Sequence, residues 1–148
     1  MSAVLASAFG EGSIAIDVDA SSREEAINSV GQLLVASSRA TPEYSQQMLD
    51  ALDEFGPYFV LAPGIAIAHA RPSSAVLTSG LALARLRTPI EFGSEHNDPV
   101  SLVFGLCAID HEGHLDVLAE LAMYLIDPAK VTFLLNAPTI EQIRHSFS

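Results

Sequence analysis

The chain has 148 residues, of which 49% are hydrophobic and 17% are charged, and its formal net charge at pH 7 is −11. This composition is typical of a packed globular protein, and we expect one domain over residues 1–148. The acidic surface excludes nucleic acid as a partner, and no apolar run reaches the about 20 residues that span a bilayer, so we expect a cytoplasmic protein without direct membrane insertion.

The first part of the chain predicts a short strand and a helix. Residues 3–9 are small and apolar and fit a short helix or a loosely attached arm, and residues 13–18 resemble a strand. Ser22 and Glu25 have the spacing of a capping box, which opens the helix. Its buried stripe recurs at helical spacing and comprises Ala26, Ile27, Val30, Leu33 and Leu34.

A second helix is predicted directly after the first. Thr41 is its N-cap candidate, Pro42 suits the first helical position, and Glu43 places an acid in the first turn. Gly56 and the proline after it end this helix. Its buried face comprises Tyr44, Met48, Leu52 and Phe55.

The chain is organised around residues 58–72, whose sequence is YFVLAPGIAIAHARP. Two short apolar runs, residues 58–61 and 65–68, are separated by a Pro-Gly pair, and the second run leads into His69. Pro72 pushes the residue before it out of the α region, so we expect the chain to leave the sheet there. His69 is therefore predicted at the end of a buried strand. Its imidazole has an ordinary pKa of about 6.5, so a ring nitrogen can act as a nucleophile at pH 7.

The second half of the chain predicts two covered strands and three helices. Residues 80–87 are apolar before they turn basic, residues 89–99 form a turn-rich loop, and residues 100–109 form an uncharged run that predicts a central strand. Asp110 then caps a helix, and two short helices follow it. The apolar stripe of the helix after Asp110 comprises Leu115, Leu118, Ala119, Ala122, Leu125 and Ile126.

The order of these elements predicts an α/β fold with three layers, an α/β/α sandwich with helices on both faces of one small sheet. Strands that are apolar on both faces require such cover. Hydrophobic periodicity does not give the order of the strands within the sheet, so the sequence leaves the topology open.

His69 and His114 form the first candidate site. His114 lies at the start of the helix that follows the central strand, and helix N-termini present free N–H groups and a partial positive charge. A strand end carrying His69 beside a helix start carrying His114 would bring a nucleophile and a hydrogen-bond donor to one phosphoryl group. Phosphoryl transfer depends mostly on such positioning and on charge stabilisation.

Residues 61–70, LAPGIAIAHA, resemble the active-site signature of enzyme IIA of the bacterial sugar phosphotransferase system (PTS), in its mannitol/fructose class. Residues 110–122 are similar to the second motif of this family, in which a histidine supports the phosphorylated one. The chain departs from the pattern at one position, because Ala68 stands where the family usually has proline. It also lacks the arginine that related domains tend to carry upstream of the signature.

This resemblance implies a phosphotransferase that acts as a phosphoryl carrier without metal or organic cofactor. His69 would accept a phosphoryl group on Nε2 from the phosphocarrier HPr and pass it to enzyme IIB, which serves the membrane enzyme IIC. The family fold is a mixed sheet of about five strands. Residues 70–72 and 97–100 are most similar to ascorbate-type members, with fructose and mannitol as rivals. The oligomeric state, a homo-oligomer included, stays open.

Alternative roles remain for several of these residues. Arg71 either neutralises the incoming phosphate or pairs with a surface carboxylate, and the sequence is equally consistent with His114 as an ordinary helix-start histidine. His111 and His114 have the i,i+3 spacing of a metal pair, but the spacing fixes no third ligand, for which His96 and Asp110 are candidates. A sensor of phosphorylation state with the same fold is the alternative function, and a non-enzymatic scaffold ranks last. Cys107 lies within the apolar central run and is expected to be a buried structural residue.

Overall fold

The computed structural model describes residues 3–148, which form one five-stranded mixed sheet with helices on both of its faces. The strands are β1 (Phe9–Val18), β2 (Val60–Ala62), β3 (Ile65–His69), β4 (Gly80–Ile90) and β5 (Val100–Cys107). The helices are α1 (Ala3–Ala8), α2 (Arg23–Ala36), α3 (Glu43–Phe55), α4 (His111–Leu125), α5 (Pro128–Asn136) and α6 (Ile140–Ser146), and Pro57–Phe59 is a 3-10 turn.

The strand order in the sheet is β1-β4-β5-β3-β2. β1 runs parallel to β4 and β3 runs parallel to β5, whereas β4 is antiparallel to β5 and β2 is antiparallel to β3. β5 is therefore the central strand, as the uncharged run predicts. The parallel pairing of β3 with β5 brings the carboxyl ends of both strands to the same edge of the sheet, with His69 opposite Leu106.

Two apolar cores, one on each face of the sheet, make the three predicted layers. On β5, Val103 and Cys107 face the core under α2 and α3, whereas Phe104 and Leu106 face the core under α1, α4, α5 and α6. Because successive side chains of a strand point to opposite faces, β5 needs apolar residues throughout. The α/β/α sandwich is confirmed. No helix within residues 3–148 has both the length and the apolar character needed to cross a membrane.

Two of the three named N-cap residues are confirmed by their hydrogen bonds. The Ser22 hydroxyl accepts a hydrogen bond from the Glu25 N–H, and an Asp110 carboxylate oxygen accepts one from the Gly113 N–H. The prediction that Thr41 caps α3 with its side chain is wrong. The backbone N–H of Thr41 donates to the Ala75 carbonyl in a neighbouring loop, and α3 begins without a side-chain cap.

The predicted stripe of α4 is right only in part. Leu118 and Leu125 are partly buried and pack against the core, but Leu115 is 51% exposed and Ile126 is 77% exposed. The fully buried residues of α4 are Val117, Leu121 and Tyr124, which the prediction omits. This helix is apolar on nearly its whole circumference, so its sequence allows several buried faces and packing on the sheet selects one of them. Phe55 of α3, which was predicted to be buried, is 53% exposed.

Two strand boundaries differ from their predictions. β4 continues to Ile90, so the loop that precedes β5 begins later than residue 89. Tyr58 and Phe59 belong to the 3-10 turn, and β2 begins only at Val60. The proline at residue 57, in the first position of that turn, favours helical over extended backbone there.

Candidate functional site

His69 is the last residue of β3, and its backbone is held by the parallel ladder with β5. Its Nδ1 lies 2.9 Å from the carbonyl oxygen of Ile67. Because a carbonyl can only accept a hydrogen bond, Nδ1 carries the proton and the lone pair is on Nε2. Ala68, which stands in place of the family's proline, is fully buried and pairs with Gly105 of β5. The sheet itself therefore restrains the backbone before the histidine.

The chain that follows His69 is fixed by a tyrosine from α3. The Tyr44 hydroxyl accepts a hydrogen bond from the Ala70 N–H at 3.0 Å and donates one to the Leu106 carbonyl at 2.7 Å. Burial raises the pKa of Tyr44, which keeps the hydroxyl protonated. Tyr44 thus ties the end of β3 to the end of β5. The sequence predicts Tyr44 only as a core residue, because helical spacing does not reveal what its hydroxyl contacts.

His114 approaches His69 from the first turns of α4, and the two rings have centroids 5.1 Å apart. Burial, followed by the proximity of the imidazoles of His69 and His111, lowers the pKa of His114. Burial also lowers the pKa of His69, against the opposing effect of its hydrogen bond to Ile67. Both imidazoles are therefore neutral at pH 7. The pairing predicted from the sequence corresponds to a close contact between the two rings.

These histidines line an open cavity of about 500 Å³. Phe59 packs against His69 with ring centroids 5.2 Å apart, and the exposed rings of Phe55 and Tyr58 form part of the rim. Arg71 also lines the cavity and is exposed, and within residues 3–148 it makes no hydrogen bond or ion pair. The full lining comprises Ala51, Phe55, Tyr58, Phe59, His69, Ala70, Arg71, Pro72, His111 and His114. Among the residues that the structure describes, no carboxylate belongs to this lining.

The start of α4 opens into the same cavity, because His111 and His114 both line it. The first N–H groups of a helix have no partner within that helix, and they give its N-terminus a partial positive charge. Asp110 satisfies one of these groups, at Gly113. The neutral imidazoles of His69 and His114 and the guanidinium of Arg71 therefore line a space next to the start of α4, an arrangement that favours an anion.

The other chemical candidates lie apart from this cavity. The Cys107 thiol is buried between the Thr78 and Arg39 carbonyls, and burial raises its pKa to about 11, which disfavours the reactive thiolate. His96 is exposed in the loop before β5 and is not among the cavity residues. Within residues 3–148, no group of three or more His, Cys, Asp or Glu side chains could hold a metal ion.

Comparison with known proteins identifies the family of the chain. A sequence model of the family described as "Phosphoenolpyruvate-dependent sugar phosphotransferase system, EIIA 2" matches residues 7–148. The chain is also 41% identical over 105 residues to the ascorbate-specific PTS system EIIA component of Salmonella choleraesuis (strain SC-B67). The matched region covers 71% of this chain and 68% of the relative.

Two solved structures from Escherichia coli have similar folds. The mannitol-specific cryptic phosphotransferase enzyme IIA CmtB matches with a TM-score of 0.86 and 30% identity over 97% of each chain. A chain of the complex of enzyme IIAMTL with phosphorylated enzyme IIBMTL matches with a TM-score of 0.82 and 27% identity, over 93% of this chain and 95% of that chain.

Proposed function

The chain belongs to the EIIA 2 family of the phosphoenolpyruvate-dependent sugar phosphotransferase system, and from this premise we propose that it is a phosphoryl carrier that uses His69. In this proposal His69 accepts a phosphoryl group from phosphorylated HPr and passes it to enzyme IIB. The observation that supports it best is the hydrogen bond from His69 Nδ1 to the Ile67 carbonyl, because it leaves the lone pair on Nε2, the nitrogen that the reaction requires.

The proposed reaction consists of two displacements at phosphorus. The Nε2 lone pair of His69 attacks the phosphorus of the donor, an N–P bond forms, and the N–P bond in HPr breaks with its electron pair returning to the donor imidazole. In the second step a cysteine thiolate of enzyme IIB attacks the same phosphorus. The S–P bond forms while the N–P bond breaks, and its electron pair returns to Nε2 of His69. No metal or cofactor takes part in either step.

His114 and Arg71 have supporting roles in this proposal. His114 is neutral and close to His69, so it can donate an N–H to a phosphoryl oxygen without adding charge. Arg71 supplies the permanent positive charge of the cavity, and its exposed position lets it approach a phosphoryl group from the solvent side. A neutral nucleophile with nearby donors meets the main requirement of phosphoryl transfer, which is positioning with charge stabilisation.

The proposed partners are proteins, which the open form of the cavity supports. The exposed aromatic rings of Phe55 and Tyr58 give its rim an apolar surface of the kind found at protein interfaces. A structure of similar fold is a complex of a mannitol enzyme IIA with a phosphorylated enzyme IIB, which supports enzyme IIB as the acceptor. Through enzyme IIB the carrier would serve membrane enzyme IIC. The proposal assigns the protein to the cytoplasm, acting as one domain over residues 1–148.

Ascorbate is the proposed carbohydrate of the system. The support comes from the relatives at 40–42% identity, which are ascorbate-specific EIIA components. The cavity itself does not select a carbohydrate in this proposal, because the carrier contacts only proteins.

The deciding experiment combines the protein with phosphoenolpyruvate, enzyme I and HPr and follows its mass. We expect one added phosphoryl group, lost in His69→Ala and retained in His145→Ala, in which an exposed histidine of α6 is replaced. Labelling that persists in His69→Ala would refute the assignment of His69. Onward transfer to an ascorbate-type enzyme IIB supports the transport role, whereas a labelled protein that transfers to no enzyme IIB would be a phosphorylation-state sensor.

A further inference from the structure

A third histidine, His111, lines the cavity together with His69 and His114. It is the first residue of α4, its side chain is exposed, and it lies three residues before His114. Residues spaced i,i+3 on a helix are neighbours on its surface, with Cβ atoms about 5–6 Å apart. The proximity of the His111 imidazole also contributes to the lowered pKa of His114, so the two rings interact electrostatically.

The cavity has little permanent positive charge for an anion. Among the lining residues within 3–148, only Arg71 carries a fixed charge, and α3 contributes Ala51 and Phe55, which are apolar. His114 is neutral because of burial and its imidazole neighbours. A phosphoryl group adds about −1.5 to −2 charges at pH 7 when it is attached to a side chain. Further positive charge beside that group would therefore stabilise it.

We propose that His111 binds the phosphoryl group on His69 as an imidazolium, which it becomes by taking up a proton when His69 is phosphorylated. This inference rests on the proposed function of His69. The proton comes from solvent, binds the free ring nitrogen of His111, and leaves again when the phosphoryl group moves to the next carrier. No bond to phosphorus is made or broken by His111, which acts as a phosphate-binding residue.

The surroundings of His111 favour this change of state. Once His69 carries a phosphoryl group, an anion within about 4–6 Å of an imidazole favours the charged form of that ring. The ionisable neighbours of His111 along the chain are Asp110, which is engaged as the helix cap, Glu112 and His114, and the ionisable cavity residues from other elements are His69, Arg71 and Tyr58. Asp50 and Glu54 of α3 line an adjacent cavity that shares Arg71 with this one.

The consequence is a coupling between proton binding and the position of the phosphoryl group. In the pH range where His111 gains a proton on phosphorylation, the phosphorylated protein binds one more proton than the free protein. A lower pH therefore favours phosphorylation in that range. A rise in pH favours onward transfer for the same reason. A shift of one pH unit in the midpoint of His111 corresponds to a factor of about ten in the phosphorylation equilibrium.

The first test follows the imidazole resonances of the full chain by NMR between pH 5 and pH 9, with and without phosphorylation. Single His→Gln variants assign the signals. We expect the midpoint of His111 to rise by about one unit or more on phosphorylation, while those of His96 and His145 stay unchanged. An unchanged midpoint of His111 in a sample whose mass shows phosphorylated His69 would overturn the inference. If His69 takes up no phosphoryl group, the proposed function fails and the inference fails with it.

The second test compares three variants in equilibrium with HPr as the pH is varied. Below pH 7, the phosphorylated fraction of His111→Gln should be lower than that of His145→Gln, and this fraction should depend less on pH. Where His111 is protonated in the intact site, we expect its replacement to reduce the equilibrium constant for phosphorylation by HPr about tenfold. His111→Arg should restore a high fraction and make it less dependent on pH. Equal pH profiles for His111→Gln and His145→Gln would contradict the proposed role. Because His111 is exposed at a helix start, none of these variants should disturb folding, which thermal unfolding would verify.

Discussion

The substitution Tyr44→Phe tests whether the hydroxyl of Tyr44 holds the end of β3 in place. It keeps the buried ring, which is 1% exposed, and removes the group that bonds to the Ala70 N–H and the Leu106 carbonyl. A buried backbone group that loses its partner costs about 1–3 kcal/mol. In the variant, water can replace the hydroxyl at the Ala70 N–H but not at the Leu106 carbonyl, because Leu106 is fully buried. With one backbone group left without a partner, we expect a loss of about 2 kcal/mol in the free energy of unfolding.

Denaturant unfolding measures this loss, and thermal unfolding should show a decrease in Tm of about 4–8 °C for a chain of this size. The matched control is Tyr124→Phe. The hydroxyl of Tyr124 bonds to the Ser146 hydroxyl, so its removal leaves no backbone group without a partner, and we expect a loss of less than about 1 kcal/mol. In the proposed relay, Tyr44→Phe should also slow phosphoryl transfer to His69, because the segment after the histidine is less restrained. Equal losses of stability in the two variants would refute this reasoning.

Three further predictions concern pH and packing. Burial lowers the pKa values of His69 and His114 in the folded state, so the unfolded chain binds more protons than the folded chain below about pH 6.5. The free energy of unfolding should therefore fall as the pH is lowered from about 6.5 through the folded-state pKa values of the two histidines. Gly31→Ala should destabilise the protein by about 1–3 kcal/mol, measured by urea unfolding, because the added Cβ would lie 2.0 Å from the Ser45 Oγ of α3. Ser22→Ala should cost about 1 kcal/mol in the same assay, because it removes the N-cap hydrogen bond of α2.

Each of these predictions has a control within the chain. The double variant His69→Gln and His114→Gln should weaken the pH dependence between pH 5 and pH 7, and an unchanged slope would contradict the assignment to these two residues. Gln32→Ala is the control for Gly31→Ala. It leaves a methyl side chain at an exposed position of α2, and its effect on the free energy of unfolding should be nearly zero. If Ser22→Ala is no more destabilising than Gln32→Ala, the hydrogen bond to Glu25 contributes nothing measurable.

Local signals in the sequence are sufficient for the elements that depend on neighbouring residues. The caps at Ser22 and Asp110 are hydrogen bonds between residues three positions apart, so a short motif specifies them. The end of β3 at His69 is similarly marked by an apolar run and a proline three residues later. The N-cap prediction at Thr41 failed because a contact from outside the motif, with the Ala75 carbonyl, determines the backbone there.

Features that depend on distant residues could not be read from the sequence. The strand order and the face that α4 buries result from the packing of several elements, and α4 has apolar residues on nearly every side. The bond between Tyr44 and Leu106 joins residues 62 positions apart. The proximity of His69 and His114 was predicted as a pairing of a strand end with a helix start, but its distance follows only from the parallel alignment of β3 and β5.

The charges around the cavity match the demands of the proposed relay. A carrier must accept a phosphoryl group and release it again, so a site that bound the group very tightly would stop the second transfer. In the described part of the chain, Arg71 is the one cavity residue with a fixed positive charge, and it is exposed, while His69 and His114 are neutral. In this setting, positive charge that appears at His111 only with the phosphoryl group would stabilise the loaded form and disappear on release. Replacing the apolar wall at Ala51 with arginine should therefore raise the phosphorylated fraction and slow transfer to enzyme IIB, and faster onward transfer would contradict this account.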